Sequence, residues 1–364
     1  MLKVIEFINS TASWREILSG PPYHISIKDD EGFTILKYSQ INSDFNNDIV
    51  RECRGLIVDK KLNPVCIPFF KFANFGESYA DEIDWATAIV EEKIDGSLLK
   101  VWSYEGKWIV STNGTIFASK AIIGSEDEIK TESSYGSFGD LFTDACNLAG
   151  LCLNKLNPQN TYMFELVSPY NRVVVPHESI DLYHIGTRNN VTLHELEVDI
   201  GIKKPKTYPC GNLTDLIDMA SKLRYCEEGY VVKDSYYRRI KVKSPAYVAV
   251  SHLISGMSDK RLLELIRTNE IEEFLSYFPE YWSEVNDLQH RIQELEHYLN
   301  TIINEKINLI EYRTRKEYAE MAIKTKYPAF CFSYLDGKVS KPLDWVWSMP
   351  NDKVLEQLDK LATR

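Results

Sequence analysis

The sequence contains no Cys-x-x-Cys pair, although it has seven cysteines, at positions 53, 66, 146, 152, 210, 226 and 331. That spacing excludes a zinc ribbon and offers no disulfide framework, so the thiols read as reduced, as in a cytoplasmic protein. The seven histidines also lack metal-ligand spacing, and His290 and His297 read as surface residues on one helix face. No run approaches the roughly 18–20 apolar residues a membrane span needs. The opening Met1-Leu2-Lys3-Val4-Ile5-Glu6 meets an acid at once and has no apolar leader core. The sequons Asn9-Ser10-Thr11 and Asn113-Gly114-Thr115 are therefore read as accidental. Excess positive charge is missing too. A formal charge of −11 argues against a protein that coats nucleic acid non-specifically, while leaving room for a local basic groove. Repeats and low-complexity tracts are absent, and Tyr135-Gly136-Ser137-Phe138-Gly139 fits neither phosphate-loop pattern.

What is present is ordinary for a folded chain with a substantial core: 364 residues, 44% hydrophobic and 26% charged, a length that suggests two domains. From residue 23 to about 245, short apolar runs are broken by Gly, Pro, Asn and Asp. Residues 55–59, 98–104, 108–111, 162–167 and 229–233 read as strands, with Glu105-Gly106-Lys107 as a hairpin turn. Helical patterns over 137–153 and 212–223 interrupt them. The expected fold of 1–245 is α+β with antiparallel sheet, since too few helices alternate with strands for a doubly wound architecture. Beyond Ser244-Pro245 the pattern turns helical. Val285, Leu288, Ile292, Leu295, Leu299, Ile302 and Leu309 recur at mostly three-four spacing, which predicts one helix of roughly 30 residues. Flanking helices over 259–268 and 351–362 offer it partners within the chain, so residues 246–364 are expected to form an all-helical carboxy-terminal domain in a monomer.

The most specific chemical signal is Glu92-Lys93-Ile94-Asp95-Gly96-Ser97. A lysine attacks only when deprotonated, so a nucleophilic one needs neighbours that strip its proton. Asp95 could hold a metal ion nearby, and Gly96 lets backbone approach closely. Further along come Ser111-Thr112-Asn113-Gly114-Thr115, then Phe164-Glu165, then Asp181-Leu182-Tyr183-His184-Ile185-Gly186-Thr187-Arg188. Glu228-Gly229-Tyr230-Val231-Val232 and Arg239-Ile240-Lys241-Val242-Lys243 close the series.

In this order the segments resemble the motif series of the covalent nucleotidyltransferases, the polynucleotide ligases and capping enzymes. Within them the chain is similar to the phage-type RNA ligase 1 family over nearly its full length. Glu52-Cys53-Arg54-Gly55 and Lys71-Phe72-Ala73-Asn74 resemble that family's upstream segments, and Ser168-Pro169-Tyr170-Asn171-Arg172 its Pro-x-Asn-Arg run. The resemblance implies that Lys93 carries AMP from ATP, and that Glu165 holds the ribose. It implies that Glu228 and Asp95 hold Mg²⁺ or Mn²⁺, while Lys241 and Lys243 grip the α-phosphate. Arg54 and Lys71 would steady the β- and γ-phosphates and later the RNA 5′-phosphate, with Glu92 and Gly96 also lining the nucleotide site. The implied substrate is RNA with 5′-phosphate and 3′-hydroxyl ends, broken tRNA among them, and the helical domain would choose it. Two alternatives on the same fold are a GTP-dependent capping-type guanylyltransferase and a DNA-strand ligase. One position departs from the pattern: Asn113 stands where the family often has lysine. Its charge is either lost or supplied by Lys71, Lys107 or Lys120.

Overall fold

The computed structural model describes all residues except 124–134, 255–256, 309–313 and 363–364. The chain divides into two compact units, Met1–His252 and Leu253–Arg364.

The first unit holds fourteen strands among its described residues. In chain order they are β1 (Ile25–Asp30), β2 (Phe33–Tyr38), β3 (Arg54–Asp59), β4 (Pro64–Cys66), β5 (Ala73–Asn74), β6 (Ile89–Glu92) and β7 (Ser97–Tyr104). There follow β8 (Lys107–Thr112), β9 (Asn160–Val167), β10 (Asp181–Asn189), β11 (Glu195–Leu196), β12 (Thr207–Tyr208), β13 (Gly229–Lys233) and β14 (Arg239–Lys243). Strands β1 to β4 form one sheet in sequential order. The other two sheets run β11-β10-β9-β7-β8 and β12-β6-β13-β14-β5. Pairing is antiparallel except between β14 and β5. Glu105 (φ 48°) and Gly106 (φ 77°) make the hairpin between β7 and β8, with the positive φ at both centres that a twisted two-residue turn requires.

Period-two alternation sets the faces that matter for chemistry. On β9, Tyr162, Phe164 and Leu166 are buried against Leu141, Phe142 and Ala145 of a helix over Phe138–Ala149. Glu165 between them must face the other way. On β13 and β14, Tyr230, Val232, Ile240 and Val242 pack with Leu216 and Ala220 of a helix over Leu213–Ser221. Val231, Lys241 and Lys243 are thereby turned to the opposite face. Ser137 and Asn212 cap these two helices, accepting from the amides of Asp140 and Asp215.

The second unit is helical throughout its described elements, with helices over Asp259–Thr268, Ile271–Tyr277, Trp282–Ile302, Arg315–Ala322, Pro328–Leu335, Pro342–Trp347 and Asn351–Ala362. The long helix follows its sequence pattern through the described residues, with one change of hydrogen bonding. It is regular over Trp282–Ile302 and then passes into a π-helical turn over Ile303–Ile307, closed by Asn308 N–H to the Ile303 carbonyl at 2.9 Å. Consecutive Ile302 and Ile303 are both buried, and the wider turn keeps both on the packed side. Leu309 and Arg313 lie outside the described residues. Among the described residues no helix is long and apolar enough to cross a membrane.

Candidate active site

Lys93 lies in the four-residue link between β6 and β7, which crosses from one five-stranded sheet to the other. Its amide donates to the Gly229 carbonyl at 2.9 Å. Gly96 makes the crossing possible, because a Cβ there would lie 2.5 Å from the Leu166 carbonyl oxygen of β9. Ser97 Oγ accepts from Asn171 Nδ2 at 3.0 Å, and the same amide group donates to Leu166 O at 2.9 Å. Asn171 of the Ser168–Arg172 run thus braces the link between β6 and β7 from behind.

Asp95 is placed differently from the metal ligand expected of it. Its Oδ2 accepts from the amides of Val174 (2.8 Å) and Val175 (2.7 Å), and its Oδ1 from the Tyr247 hydroxyl (2.8 Å). Only 5% of Asp95 is exposed. Three of the roughly four lone-pair positions of this carboxylate are thereby taken, two on Oδ2 and one on Oδ1, so Asp95 ties the loop to Val174, Val175 and Tyr247. Asp95→Asn should therefore lower stability by about 1–3 kcal/mol, the cost of opposing buried donors with an amide. Chemical denaturation measures that loss. A metal titration of Lys93 labelling in the same variant should keep its midpoint, whereas a lost metal ligand would move it tenfold or more.

Above the clamp the charges converge. Glu228, 5% exposed, sits just before β13 and bridges two lysines: its Oε2 lies 2.7 Å from Lys93 Nζ and its Oε1 2.9 Å from Lys243 Nζ. The register that pairs Gly229 with Lys243 sets this up, and a Cβ on Gly229 would meet the Val242 carbonyl at 2.2 Å. Burial works against the Lys93 ammonium, yet the carboxylates of Glu228, Glu165 and Asp95 outweigh it and hold its pKa above the ordinary lysine value. Lys241 has no such neighbour. Burial, then the cations of Lys71, Arg54, Lys93 and Lys243, bring it down to about 7. Burial likewise pushes Glu165 up to about 7, against the pull of Lys93. Arg54 lies 5.3 Å from the Phe72 ring centroid, and its Nη1 is buried with no hydrogen-bond partner.

Arg54, Glu92, Lys93, Glu165, Glu228, Lys241 and Lys243 line a single cavity of about 190 Å³, walled by Phe69, Ile94, Ile185 and Val231. Ile185 is thus the residue of β10 that reaches the cavity. His184 packs against Tyr162 and Phe164, and burial takes its pKa down to about 4. Lys71 borders a neighbouring cleft, donating to Gln40 Oε1 at 3.2 Å with its ammonium 4.8 Å from the Phe45 ring centroid.

Two lysines were missed by sequence reasoning. Lys100 is fully buried on β7, donates to the Gly55 carbonyl at 2.5 Å, and is brought down to about 8 chiefly by burial. A Cβ on Gly55 would lie 2.7 Å from its Nζ and 2.8 Å from the Asn113 carbonyl oxygen. Lys37 Nζ would lie 3.2 Å from a Cβ on Gly114. The positive charge beside the Asn113 turn therefore comes from Lys37 and Lys100. Lys107 is exposed at the far end of β8, and Lys120 is bound by Asp30 and Glu31. The available signal was Lys100 itself, one charged residue inside an apolar run whose alternation turns it inward.

The sequence profile of the family described as RNA ligase matches residues 52–247, more than half of the chain, and the chain belongs to this family, the phage-type RNA ligases 1. It is 29% identical over 282 residues to a protein of Autographa californica nuclear polyhedrosis virus whose name pairs polynucleotide kinase with RNA ligase; the match covers 71% of this chain and 39% of that one. It is 24% identical over 287 residues to the RNA ligase of Rhodothermus phage RM378, covering 61% of this chain and 65% of the phage protein. The chain thus spans less than two thirds of either relative. Among solved structures, an archaeal ATP-dependent RNA ligase aligns over 87% of this chain and 88% of its own, with 13% identity and a TM-score of 0.44.

Proposed function

We propose that the protein is an ATP-dependent RNA ligase working through three nucleotidyl transfers at the Lys93 cavity. The observation that supports this most is the pairing of Lys93 and Lys243 on one carboxylate, Glu228, beside Lys241, Arg54 and Glu165. In the first transfer Lys93 Nζ bonds to the α-phosphorus of ATP as pyrophosphate departs. The second passes AMP to an RNA 5′-phosphate, and in the third a 3′-hydroxyl displaces it and seals the strand. Each step develops charge around one phosphorus, so positioning and electrostatics supply most of the catalysis. Lys241, Lys243 and Arg54 would neutralise the phosphate oxygens. Glu228 Oε2, which accepts from Nζ at 2.7 Å, would take the proton that Lys93 must lose. Glu165 would accept from ribose hydroxyls.

Glu228 and Glu165 are hard oxygen donors suited to Mg²⁺ or Mn²⁺, which would add positive charge at the phosphate oxygens when bound. Among the described residues no group of three or more ligating side chains stands together. Phosphate and water oxygens would therefore complete the shell, the usual arrangement for Mg²⁺.

The test is incubation with α-labelled ATP, GTP or CTP and Mg²⁺, then denaturing electrophoresis and peptide mapping. Label from ATP on Lys93, discharged by pyrophosphate, is expected. Preferential labelling by GTP with transfer to a diphosphate RNA end would make the protein a capping enzyme.

The helical unit would serve the choice of RNA, including broken tRNA, in a monomer acting in the cytoplasm. The supporting observation is that every residue of the cavity precedes Ser244. A Met1–His252 fragment is accordingly expected to label Lys93 within a few-fold of the full chain, while its sealing of structured RNA drops tenfold or more. A soluble, folded fragment that takes no label from ATP would show that the helices shape the cavity.

A further inference from the structure

Three charged side chains are buried together at the edge of the nucleotide cavity. Glu195 Oε1 accepts from Arg188 Nη2 at 2.7 Å, and both Glu195 oxygens accept from Arg239, at 3.0 Å and 2.7 Å. Arg188 and Glu195 face each other on β10 and β11, whereas Arg239 belongs to β14. The triad therefore joins the two five-stranded sheets, both of which line the cavity. Each guanidinium lies over a ring, Arg188 at 4.2 Å from the Phe70 centroid and Arg239 at 4.4 Å from that of Phe69. The two rings lead to different places. Phe70 packs with the apolar cluster of the first sheet, against Leu56, Val58 and Ile67. Phe69 walls the nucleotide cavity, and its ring also sits against Gly186, where a Cβ would lie 2.3 Å from Cζ.

A buried Arg-Glu-Arg triad adds little stability of its own, because desolvating three charges offsets most of their attraction. What it supplies is geometry. Two parallel N–H···O bonds fix the plane of the Arg239 guanidinium, and a fixed plane keeps its face on Phe69. Three of the five N–H donors of Arg239 are spent outside the cavity lining, two on Glu195 and one on the Tyr237 carbonyl at 3.1 Å. Arg239 thus borders the cavity as the support of an aromatic ring, where Lys241 and Lys243 of the same strand border it as cations. We propose, resting on the RNA ligase reading above, that Glu195 is a positioning residue for the nucleotide: through Arg239 it fixes Phe69 as the wall against which the base of ATP packs. The phosphates gather at Lys93, Lys241, Lys243 and Arg54, which leaves the base to the apolar part of the lining, Phe69 with Ile185 and Val231. Disturbing Glu195 or Arg239 should then weaken binding of the base and spare the transfer itself.

The experiment uses the full chain and follows formation of the Lys93 adenylate without RNA, over a range of ATP concentrations. Inorganic tripolyphosphate, which has the phosphates of ATP but no base, serves as competitor. Arg239→Lys keeps the charge and loses the paired bonds and the planar face. Glu195→Gln keeps the shape and loses the charge. In both, half-saturating ATP is expected to rise on the order of tenfold, the usual worth of a base–aromatic contact. The maximal rate should stay within about threefold, and the inhibition constant of tripolyphosphate within about twofold. Phe69→Leu should raise half-saturating ATP by a similar factor, and adding Arg239→Lys to it should change little more, because the two act through one contact. Tripolyphosphate weakened as much as ATP would make Arg239 a phosphate-binding cation and overturn the proposal. Effects of Phe69→Leu and Arg239→Lys that multiply would overturn it too, as would an equal rise in Phe70→Leu, on the other arm of the triad. If Glu195→Gln does not fold, Arg239→Lys, which leaves all three charges in place, decides alone. If ATP never labels Lys93 in wild type, the ligase reading itself has failed, and that result comes before any variant is compared.

Discussion

Lys93→Ala protein is expected to take no label from α-labelled ATP and yet to join a pre-adenylylated RNA to a 3′-hydroxyl end. The first transfer needs Nζ as the attacking atom. Without it the remaining cations can bind ATP but have nothing to offer the α-phosphorus. The last transfer is different, because the adenylate is already activated and only the phosphate-binding groups around it are required. Loss of labelling should be complete within detection, since Lys93 is the one lysine of the four-residue link between β6 and β7. The alanine also leaves Glu228 with Lys243 alone. Labelling that persists in Lys93→Ala would sink the assignment of the nucleophile.

Much of this site could be read from the chain before its structure was seen, for a physical reason. Strand alternation is local, so Glu165 opposite Phe164, and Lys241 with Lys243, were bound to face away from the apolar residues beside them. Gly96 and Gly229 occur where backbone must approach backbone, at 2.5 Å from Leu166 O and 2.2 Å from Val242 O for a would-be Cβ. What sequence could not supply was the partner of a side chain brought in by a distant segment. Asp95 looked like a metal ligand because carboxylates next to a nucleophile often are. It took the amides of Val174 and Val175 and the hydroxyl of Tyr247, about 80 and 150 residues away, to show that most of its lone pairs are taken within the protein. The charge lost at Asn113 was sought among nearby or already suspect lysines. Lys37 and Lys100 were overlooked because the contacts with Gly114 and Gly55 are made between strands. The π-helical turn over Ile303–Ile307 was hidden for another reason: the apolar repeat runs on through it while the hydrogen bonding widens.

Glu228→Ala, Lys241→Ala and Lys243→Ala are each expected to slow formation of the Lys93 adenylate by roughly 10²-fold or more, the usual cost of losing one preorganised charge at a phosphoryl centre. Arg238→Ala, which removes a side chain bound to Asp234 at 2.7 Å and turned from the cavity, should cost less than threefold. The three large effects should differ in their pH dependence. Lys241 is held down to about 7 by burial and by its neighbouring cations, so without ligand it is charged below that pH and largely neutral above it. A triphosphate favours the charged form, and binding should draw in a proton between about pH 7 and pH 10, raising the lysine toward its ordinary value. ATP affinity in wild type should therefore weaken as pH climbs through that window. Lys241→Ala should flatten the dependence, whereas Lys243→Ala, which leaves Lys241 in place, should keep it. Calorimetric titrations in buffers of different ionisation enthalpy measure the proton directly. Uptake that is the same in wild type and Lys241→Ala would move the titrating group elsewhere, with Glu165, at about 7 in the same cavity, the first to replace by glutamine. Equal, mild effects at Glu228, Lys241, Lys243 and Arg238 would mean that the cavity is not where the phosphates are handled.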